Sequence, residues 1–358
     1  MVAPGCRVWV RRIVPGAKIP VRPPSAVKSR TGLALRGRDI LEGSRQLAIS
    51  EAELIRSRTK FRGVFAIPVT AFHEDGSIDF KGVARCVEYC IATGSHGIVM
   101  PVNASEFFTL SDSERIAVIK AGVDANAGAL PLVAGISGVS PQHALELALE
   151  AQEAGANALM ALPPTSRPTS PAGMEEYYRT LGEGVELPVF IQNHDPPAGQ
   201  KVPLDVMVRL LKEVDSIQYI KEETMPPGQA ITAEFQAAGE SLLGVMGGMG
   251  GRYLLDEYRR GACGTMPGCH MPDVHAALWT ALERGDEAES IRIYNKMAPM
   301  LLFENAFGVA VYKNVLHRRG VIDSPTMRVP GGRYMDATDS AELDRRLGEV
   351  SEFFTWTR

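Results

Sequence analysis

Residues 216–224 read SIQYIKEET: a short, largely apolar stretch runs into a lysine, two acids and a threonine. Isoleucine and tyrosine favour a strand, and residues 203–214 before it have the spacing of an amphipathic helix. This places Lys221 at the carboxyl end of a short buried strand. Burial disfavours the charged form of an amine, and a neutral amine is a nucleophile towards carbonyl groups. A lysine at a strand end can also point into solvent, so the rest of the chain has to decide between these interpretations.

The chain on both sides of this stretch repeats one unit, a short apolar strand followed by a helix. Ser111 and Glu114 form a capping-box pattern, and Ser140 precedes a proline at the first helical position. Eight short strands without clean polar–apolar alternation, each followed by a helix, favour a closed parallel barrel over an open doubly wound sheet. We therefore predict an α/β fold, a (β/α)8 TIM barrel with a C-terminal helical extension. The predicted strands cover residues 63–70, 97–102, 130–136, 157–162, 187–192, 216–220, 241–246 and 262–266.

Three regions of the chain differ in composition and pattern. Residues 1–60 form a basic extension whose first acid is Asp39, residues 61–270 hold the catalytic barrel, and residues 271–358 read as helices only. We expect the extension to be disordered. Its low acid content also resembles an organelle transit peptide, but it lacks the apolar core of a secretory signal. We expect a cytoplasmic protein, with organelle targeting as the alternative.

The composition excludes several classes of function. A net charge of −4 gives no basic footprint for nucleic acid, and no apolar run approaches the roughly 18 residues that span a bilayer. The five cysteines are odd in number and lack paired zinc spacing. His194 and Asp195 have no second histidine–acid pair of useful spacing, so we expect no metal site. The sequence predicts neither a nucleic-acid nor a membrane partner, and neither a metal nor a nucleotide cofactor.

The residues at the strand ends indicate a class of substrate, because chemistry in such a barrel takes place where the strands end. After the second strand, residues 103–106 read NASE, and a turn of this kind can present backbone N–H groups to a carboxylate. An amine nucleophile facing an anion-binding turn suits a 2-oxo acid, whose carboxylate is held while the lysine condenses with C2. Glu106 is expected to hold the loop by hydrogen bonds. The glycines of residues 247–251 are expected to leave room for a substrate.

Proton transfer requires further groups. Glu223 lies two residues after Lys221 and so points to the same side of an extended segment. It either moves protons or pairs structurally with an arginine. Water held by Gln192 and Asn193 is an alternative proton carrier, and Asn193 is also expected to position the substrate. The predicted catalytic residues are Lys221, Gln192 and Glu223, and the predicted substrate-binding residues are Thr70, Asn103, Ala104, Ser105, Asn193 and Gly247.

Three stretches show a resemblance to a known family. They read VFAIPVTAF at residues 64–72, VNASEFFTL at 102–110 and YIKE at 219–222. From residue 61 to about residue 348 the chain resembles the dihydrodipicolinate synthase / N-acetylneuraminate lyase family of Schiff-base barrel enzymes. The resemblance implies that Lys221 forms an imine, that the turn at Asn103 and Ala104 receives the substrate carboxylate, and that the protein is a homotetramer or a dimer.

The departures from the family pattern narrow the activity. In family members a tyrosine after strand five relays protons, and Gln192 stands at that position here. A second tyrosine of dihydrodipicolinate synthase is replaced by Thr165, and the arginine that binds the carboxylate of its aldehyde substrate is replaced by Pro197. Glutamine forms hydrogen bonds but does not carry a proton near neutral pH. Dihydrodipicolinate synthesis is therefore not expected. Asn-x-Ser-Glu after strand two, Lys-x-Glu-Thr after strand six and the FEN run at residues 303–305 are similar to the subgroup that contains L-2-keto-3-deoxyarabonate dehydratase.

The sequence thus predicts a class I lyase that acts on a 2-oxo-3-deoxy sugar acid, most simply as a dehydratase through a lysine imine and enamine. A pyruvate-dependent aldolase of the same family uses the same imine and is the alternative reaction. An alternative of another class is a non-catalytic barrel that binds a 2-oxo acid. The expected partners are a small-molecule 2-oxo acid and further copies of the same chain.

Overall fold

The computed structural model describes residues 52–164, 166–329 and 332–356. Its centre is a closed barrel of eight parallel strands in sequence order, and β8 pairs with β1 to complete the circle. The predicted (β/α)8 architecture is confirmed. The strands are β1 (Gly63–Ala66), β2 (Gly97–Met100), β3 (Leu132–Gly135), β4 (Ala158–Ala161), β5 (Val189–His194), β6 (Ile217–Glu223), β7 (Gly244–Gly247) and β8 (Gly264–Thr265).

A helix follows each strand, and the predicted helix starts are confirmed. Ser111 and Glu114 form the capping box, the Ser140 side chain accepts a hydrogen bond from the backbone of His143, and Pro141 occupies the first turn. No helix in the described ranges is long and apolar enough to cross a membrane. The ring helices are α1 (Phe80–Ala92), α2 (Asp112–Asn126), α3 (Pro141–Glu153), α4 (Pro171–Glu183), α5 (Leu204–Glu213), α6 (Pro227–Ala238), α7 (Leu254–Arg259) and α8 (Pro272–Glu283).

Aromatic side chains fill the amino-terminal half of the barrel. The Phe190 and Tyr219 rings stack with centroids 4.5 Å apart, and the edge of Phe61 meets them at 5.6 and 5.2 Å. All three residues are buried. Because this half is packed with apolar groups, the polar interior positions lie towards the carboxyl ends of the strands.

Strands β5 and β6 are the longest of the eight, with six and seven residues. Their pairing continues through Gln192 with Lys221 and ends with His194 opposite Glu223. These two strands therefore carry polar side chains into the mouth of the barrel on a hydrogen-bonded ladder. Such a ladder holds side chains more firmly than a loop does.

The helical region that follows begins later than the predicted boundary at residue 270. Helix α8 packs against β1, where Val64 shares an apolar cluster with Val274 and Leu278. It is therefore the eighth helix of the ring. The appended helices are α9 (Glu287–Phe307), α10 (Val309–Arg318) and α11 (Ala337–Val350).

A buried ion pair ties the appended region to the barrel. Lys313 Nζ on α10 lies 2.5 Å from Glu106 Oε1, and both residues are fully buried. The other oxygen of Glu106 accepts hydrogen bonds from the backbone N–H groups of Arg328 and Val329, at 2.9 and 3.1 Å. Glu106 is thus a structural residue, as expected, and it anchors the C-terminal region as well as its own loop.

Residues 1–51, with most of the predicted extension, lie outside the described residues. The part of it that is described is ordered, contrary to the predicted disorder up to residue 60. Residues 52–57 are helical, and Arg56 donates a 2.8 Å hydrogen bond to the carbonyl of Tyr258 with its guanidinium 3.9 Å above that ring. The Thr59 hydroxyl reaches Tyr219 at 3.1 Å. Residues 52–60 therefore belong to the barrel's packing.

Candidate active site

A cavity of about 480 Å³ opens at the carboxyl ends of the strands. It is the place where a barrel of this class binds its substrate. Five of the predicted site residues line it. These are Asn103, Ala104, Gln192, Lys221 and Glu223.

The Lys221 amine lies inside this cavity. The residue is 3% exposed, and its Nζ is 3.2 Å from Glu223 Oε2. Both side chains project from β6 into the barrel because they are two residues apart on one strand. The prediction that Glu223 points to the same side as Lys221 is confirmed, and its cationic partner is this lysine instead of an arginine.

Two further groups hold Glu223. Gln192 Nε2 donates to its Oε2 at 2.7 Å, and the N–H of Met249 donates to its Oε1 at 3.1 Å. Burial would raise the pKa of Glu223, but the charge of Lys221, then that of His194, and these hydrogen bonds outweigh it, so its pKa is lowered. Glu223 is therefore an ionised carboxylate beside the amine at neutral pH.

Asn193 and Glu222 project from the other side of the same two strands. Asn193 Nδ2 donates to Glu222 Oε2 at 2.7 Å, and Asn193 Oδ1 accepts from the N–H of Val202 at 2.8 Å. Glu222 Oε1 also accepts from the backbone and the hydroxyl of Thr224. Asn193 does not line the cavity, so the predicted role in positioning the substrate is replaced by a structural one. Strand alternation is the physical reason, since Gln192 and Asn193 must face opposite ways.

The turn after β2 contributes two of its residues to the cavity. Asn103 and Ala104 begin a 3-10 turn, whose first N–H groups have no partner within the turn. The Ser105 hydroxyl instead donates to the carbonyl of Pro68 at 2.6 Å, and the Thr70 hydroxyl donates to the carbonyl of Ser105 at 2.7 Å. Ser105 and Thr70 therefore fix the turn against the segment that follows β1, and neither lines the cavity.

The glycines at the end of β7 leave space for the carboxylates of Glu257 and Glu223. The prediction that Gly247 leaves room for a substrate is therefore wrong. A Cβ on Gly247 would lie 2.0 Å from Glu257 Oε2, and one on Gly248 would lie 2.2 Å from Glu223 Oε1. The missing side chains thus let the two acids pack against the backbone. Gly247 does not line the cavity, whereas Gly248 acts on it indirectly by admitting Glu223.

The appended helices supply residues that the sequence did not identify as part of the site. Glu304 on α9 and Tyr312 on α10 line the cavity, and Tyr312 Oη lies 2.5 Å from Glu304 Oε1. Burial raises the pKa of Glu304 to about 7, although the Tyr312 hydrogen bond and the Arg252 charge lower it. The FEN run at residues 303–305 was the only sequence signal, and it indicated a subgroup and not a location.

A cation lines this side of the cavity, and a neutral imidazole packs against Tyr312. Arg252 lines it, with its Nε donating to the carbonyl of Met249 at 2.7 Å and its Nη1 bonded to Asn305. His270 stacks on Tyr312 with centroids 4.8 Å apart, and burial lowers the pKa of His270 to about 3, so it is neutral. Across the described ranges, no group of three or more His, Cys, Asp or Glu side chains could hold a metal ion. Thr165 lies outside the described residues.

Comparison with known proteins decides the family, since residues 60–345 match the dihydrodipicolinate synthetase family. The chain belongs to this family. Members of the dihydrodipicolinate synthetase family are lyases, so the general class predicted from the sequence is confirmed.

Relatives with two different activities are about equally similar to the chain. L-2-keto-3-deoxyarabonate dehydratase of Azospirillum brasilense is 27% identical over 278 residues, covering 76% of this chain and 90% of that protein. 4-hydroxy-tetrahydrodipicolinate synthase of Bradyrhizobium diazoefficiens is 29% identical over 288 residues, covering 76% and 92%. Dihydrodipicolinate synthase from Rhodopseudomonas palustris superposes with a TM-score of 0.75 at 27% identity, covering 81% of this chain and 98% of that one. Overall identity does not choose between the activities, so the choice depends on the cavity.

Proposed function

We propose that this protein is a class I lyase that removes water from a 2-oxo-3-deoxy sugar acid through an imine on Lys221. The observation that carries the proposal is the placement of the Lys221 amine inside the cavity, 3.2 Å from the Glu223 carboxylate. A buried amine beside a base is the arrangement that imine formation requires.

Binding begins with the substrate carboxylate. Asn103 and Ala104 line the cavity, and the N–H groups that open their turn have no partner within it, which suits an anion. With the carboxylate held there, Lys221 passes a proton to Glu223 and attacks C2 as the neutral amine. Glu223 returns that proton to the departing oxygen, so water leaves and a protonated imine forms. No metal or nucleotide is needed, because the imine itself withdraws electrons from C3.

Glu223 supports the next step. It is ionised and fixed by Gln192 and Met249, so it can accept the C3 proton without moving far. The resulting enamine expels the C4 hydroxyl as water, and hydrolysis of the conjugated imine frees a 2-oxo product of unchanged chain length and regenerates Lys221. Asn193 is fully engaged by Glu222 and Val202, which favours Glu223 over a water held by Gln192 and Asn193 as the base.

Dehydration is favoured over dihydrodipicolinate synthesis by the groups around the amine. Gln192 occupies the position where the family's relay tyrosine is expected, and its amide is already bound to Glu223. The relative from Azospirillum brasilense carries the dehydratase name and spans most of the chain. An aldolase that breaks C3–C4 through the same imine is the competing reaction.

Two measurements test the proposal. Incubation with L-2-keto-3-deoxyarabonate and a panel of related acids is expected to give a 2-oxo product of the same chain length; pyruvate with an aldehyde would instead indicate an aldolase. Borohydride reduction in the presence of pyruvate is expected to leave a covalent adduct on Lys221, which mass spectrometry detects. A folded protein without an adduct across the panel would support a binding protein that lacks lyase activity.

We also infer a homo-oligomer, a tetramer or a dimer, from family membership. Light scattering coupled to size exclusion measures the mass directly, and a monomer at micromolar concentration would contradict the inference.

A further inference from the structure

A second acid lies in the cavity, and the mechanism above leaves it unused. Glu304 is 4% exposed and comes from α9. A Cβ on Gly250 would lie 2.5 Å from Glu304 Oε1, just as a Cβ on Gly248 would meet Glu223. Gly248 and Gly250 therefore each lie against a carboxyl group, one beside the amine and one carried by an appended helix.

The two oxygens of Glu304 are in different situations. Oε1 is paired with the Tyr312 hydroxyl, but Oε2 has no hydrogen-bond partner among the described residues. His270 Nε2 lies 3.7 Å from it, which is too long for a hydrogen bond. A buried carboxylate with an unsatisfied oxygen is costly, and a proton on the carboxyl group reduces that cost. Burial raises the pKa of Glu304 to about 7, which agrees with this geometry.

Tyr312 connects Glu304 to the cavity. The ring lies over Gly268, where an added Cβ would be 3.0 Å from it, and the side chain is only partly buried. Burial raises the pKa of Tyr312 well above its usual value, and the charges of Glu304 and, more weakly, Glu223 add to this effect. The phenol thus remains protonated between the two acids. When Glu304 holds a proton, its O–H can donate to Tyr312 Oη, and the phenol hydrogen is then free to point into the cavity.

We propose that Tyr312 donates the proton to the departing C4 hydroxyl and that Glu304 supplies that proton through the hydrogen bond between them. The inference rests on the proposed function and assigns the acid of the same site. Tyr312 touches the substrate and is the catalytic residue, whereas Glu304 is the proton store behind it.

The elimination needs such an acid because hydroxide is a poor leaving group. Glu223 is ionised beside Lys221, Gln192 has no proton to give, and neutral His270 is stacked behind the phenol. Two carboxyl groups whose surroundings move their pKa values in opposite directions suit the roles of base and acid. The remaining charged neighbour of Glu304 is Arg252, which lowers its pKa and so keeps it near neutrality.

Atoms and charges balance in this step. The C3 proton passes to the Glu223 carboxylate, and the C3–H electron pair forms the enamine. The electrons of the enamine then expel the C4 oxygen. That oxygen takes the hydroxyl proton of Tyr312 and leaves as water. Tyr312 Oη in turn takes the proton of the Glu304 carboxyl group. Glu223 returns its proton to the solvent, Glu304 takes one from it, and the water that imine formation released is consumed in hydrolysis.

The test separates early from late steps by two substitutions, Tyr312→Phe and Glu304→Gln. Exchange of the pyruvate methyl protons in D2O and borohydride trapping at Lys221 need the amine and Glu223 only, so both are expected to persist in both variants. Turnover of the 2-oxo-3-deoxy acid that the wild type dehydrates fastest is expected to fall by about 10²- to 10⁴-fold, the usual contribution of a general acid. Tyr334→Phe and Glu287→Gln, both exposed and outside the cavity, are the matched controls.

The pH profile distinguishes proton donation from a structural role. Because Glu304 must hold its proton, wild-type kcat is expected to fall as pH rises through about 7, and this limb is expected to vanish in Glu304→Gln. Wild-type turnover in both variants, or an unchanged limb in Glu304→Gln, overturns the inference while the lyase proposal stands. Loss of the borohydride adduct in the two variants also overturns the inference, because it would show that Tyr312 and Glu304 are needed for imine formation at Lys221. No adduct in the wild type refutes the proposed function first.

Discussion

Lys221 Nζ lies 3.2 Å from Glu223 Oε2, and both side chains point into the barrel because the two residues are two positions apart on one strand. A buried charge pair of this kind is weak evidence for stability, because the free energy of attraction roughly equals the cost of removing both charges from water. Its position at the mouth of the cavity gives it a chemical use instead. One strand places a nucleophile and a base at a fixed separation, and the ladder to β5 adds the Gln192 amide that orients the base.

Replacing Lys221 by alanine removes the only group proposed to bond with the substrate. We expect Lys221→Ala to fold, as seen by circular dichroism, but to lose both the borohydride adduct and turnover. Lys201→Ala is the control, because Lys201 is an exposed loop lysine that lines no part of the cavity. An adduct that persists in Lys221→Ala would show that the nucleophile is another lysine.

Glu223 and its neighbour Glu222 provide a contrast between chemistry and stability. Glu223→Gln keeps a hydrogen-bonding side chain but removes the base, so exchange of the pyruvate methyl protons in D2O is expected to slow by about 10²- to 10⁴-fold. Glu222→Gln weakens the contacts with Asn193 and Thr224 and is expected to cost about 1–3 kcal/mol of unfolding free energy. Its activity per folded molecule should stay close to that of the wild type. Equal loss of exchange in both variants would remove the special role of Glu223.

Much of the fold was predictable because its signals are local. Apolar runs of strand length, the Ser111 capping box and the Ser140–Pro141 helix start each depend on a few adjacent residues. The placement of Glu223 on the same side as Lys221 was predictable for the same reason, from strand alternation, although its ion pair with Lys221 was not predicted. The same alternation also predicts that Asn193 faces away from the cavity, contrary to the substrate-positioning role expected from its place at a strand end.

The residues that the sequence missed come from distant parts of the chain. Glu304 and Tyr312 reach the cavity because α9 and α10 meet at Gly308, whose φ of 57° lets the chain turn sharply between them. Gly247 and Gly248 looked like space for a substrate because a sequence does not show which side chain fills the gap beside a glycine. That information lies in packing between elements, which a single sequence does not encode locally.

Gly248→Ala tests the contact between the glycine run and the base. The new Cβ would lie 2.2 Å from Glu223 Oε1, so the Glu223 side chain must shift from the position that places it 3.2 Å from Lys221 Nζ. We expect turnover to fall at least tenfold while the fold is kept. Gly348→Ala is the control, since a Cβ there meets nothing within 4 Å and alanine favours the helix. Full activity of Gly248→Ala would mean that the exact position of Glu223 does not matter.

The buried pair of Glu106 and Lys313 should matter for stability and not for chemistry. Removing one partner leaves an uncompensated charge, so Glu106→Ala or Lys313→Ala is expected to cost about 3–5 kcal/mol in chemical denaturation. The double variant Glu106→Gln/Lys313→Met should be less destabilised than either single alanine variant. Proteolysis near residues 326–329, whose backbone binds both residues, should increase in the single variants. Single variants as stable as the wild type would show that the tail docks without this pair.

Glu304 makes the stability of the protein depend on pH in a direction that can be stated. Its pKa is raised to about 7 from an ordinary value of 4.5, so the unfolded chain releases this proton at lower pH than the folded protein does. The contribution of the group to stability is therefore largest below pH 4.5 and is lost as pH rises towards 7, by about 3 kcal/mol in all. Glu304→Gln cannot lose a proton, so its unfolding free energy relative to the wild type should increase between pH 5 and pH 8. Denaturant titrations of both proteins at the two pH values measure this difference, and Glu287→Gln on the same helix should show no such change. A difference that is independent of pH would mean that Glu304 is ionised in the folded protein, and it could not then supply the proton to Tyr312.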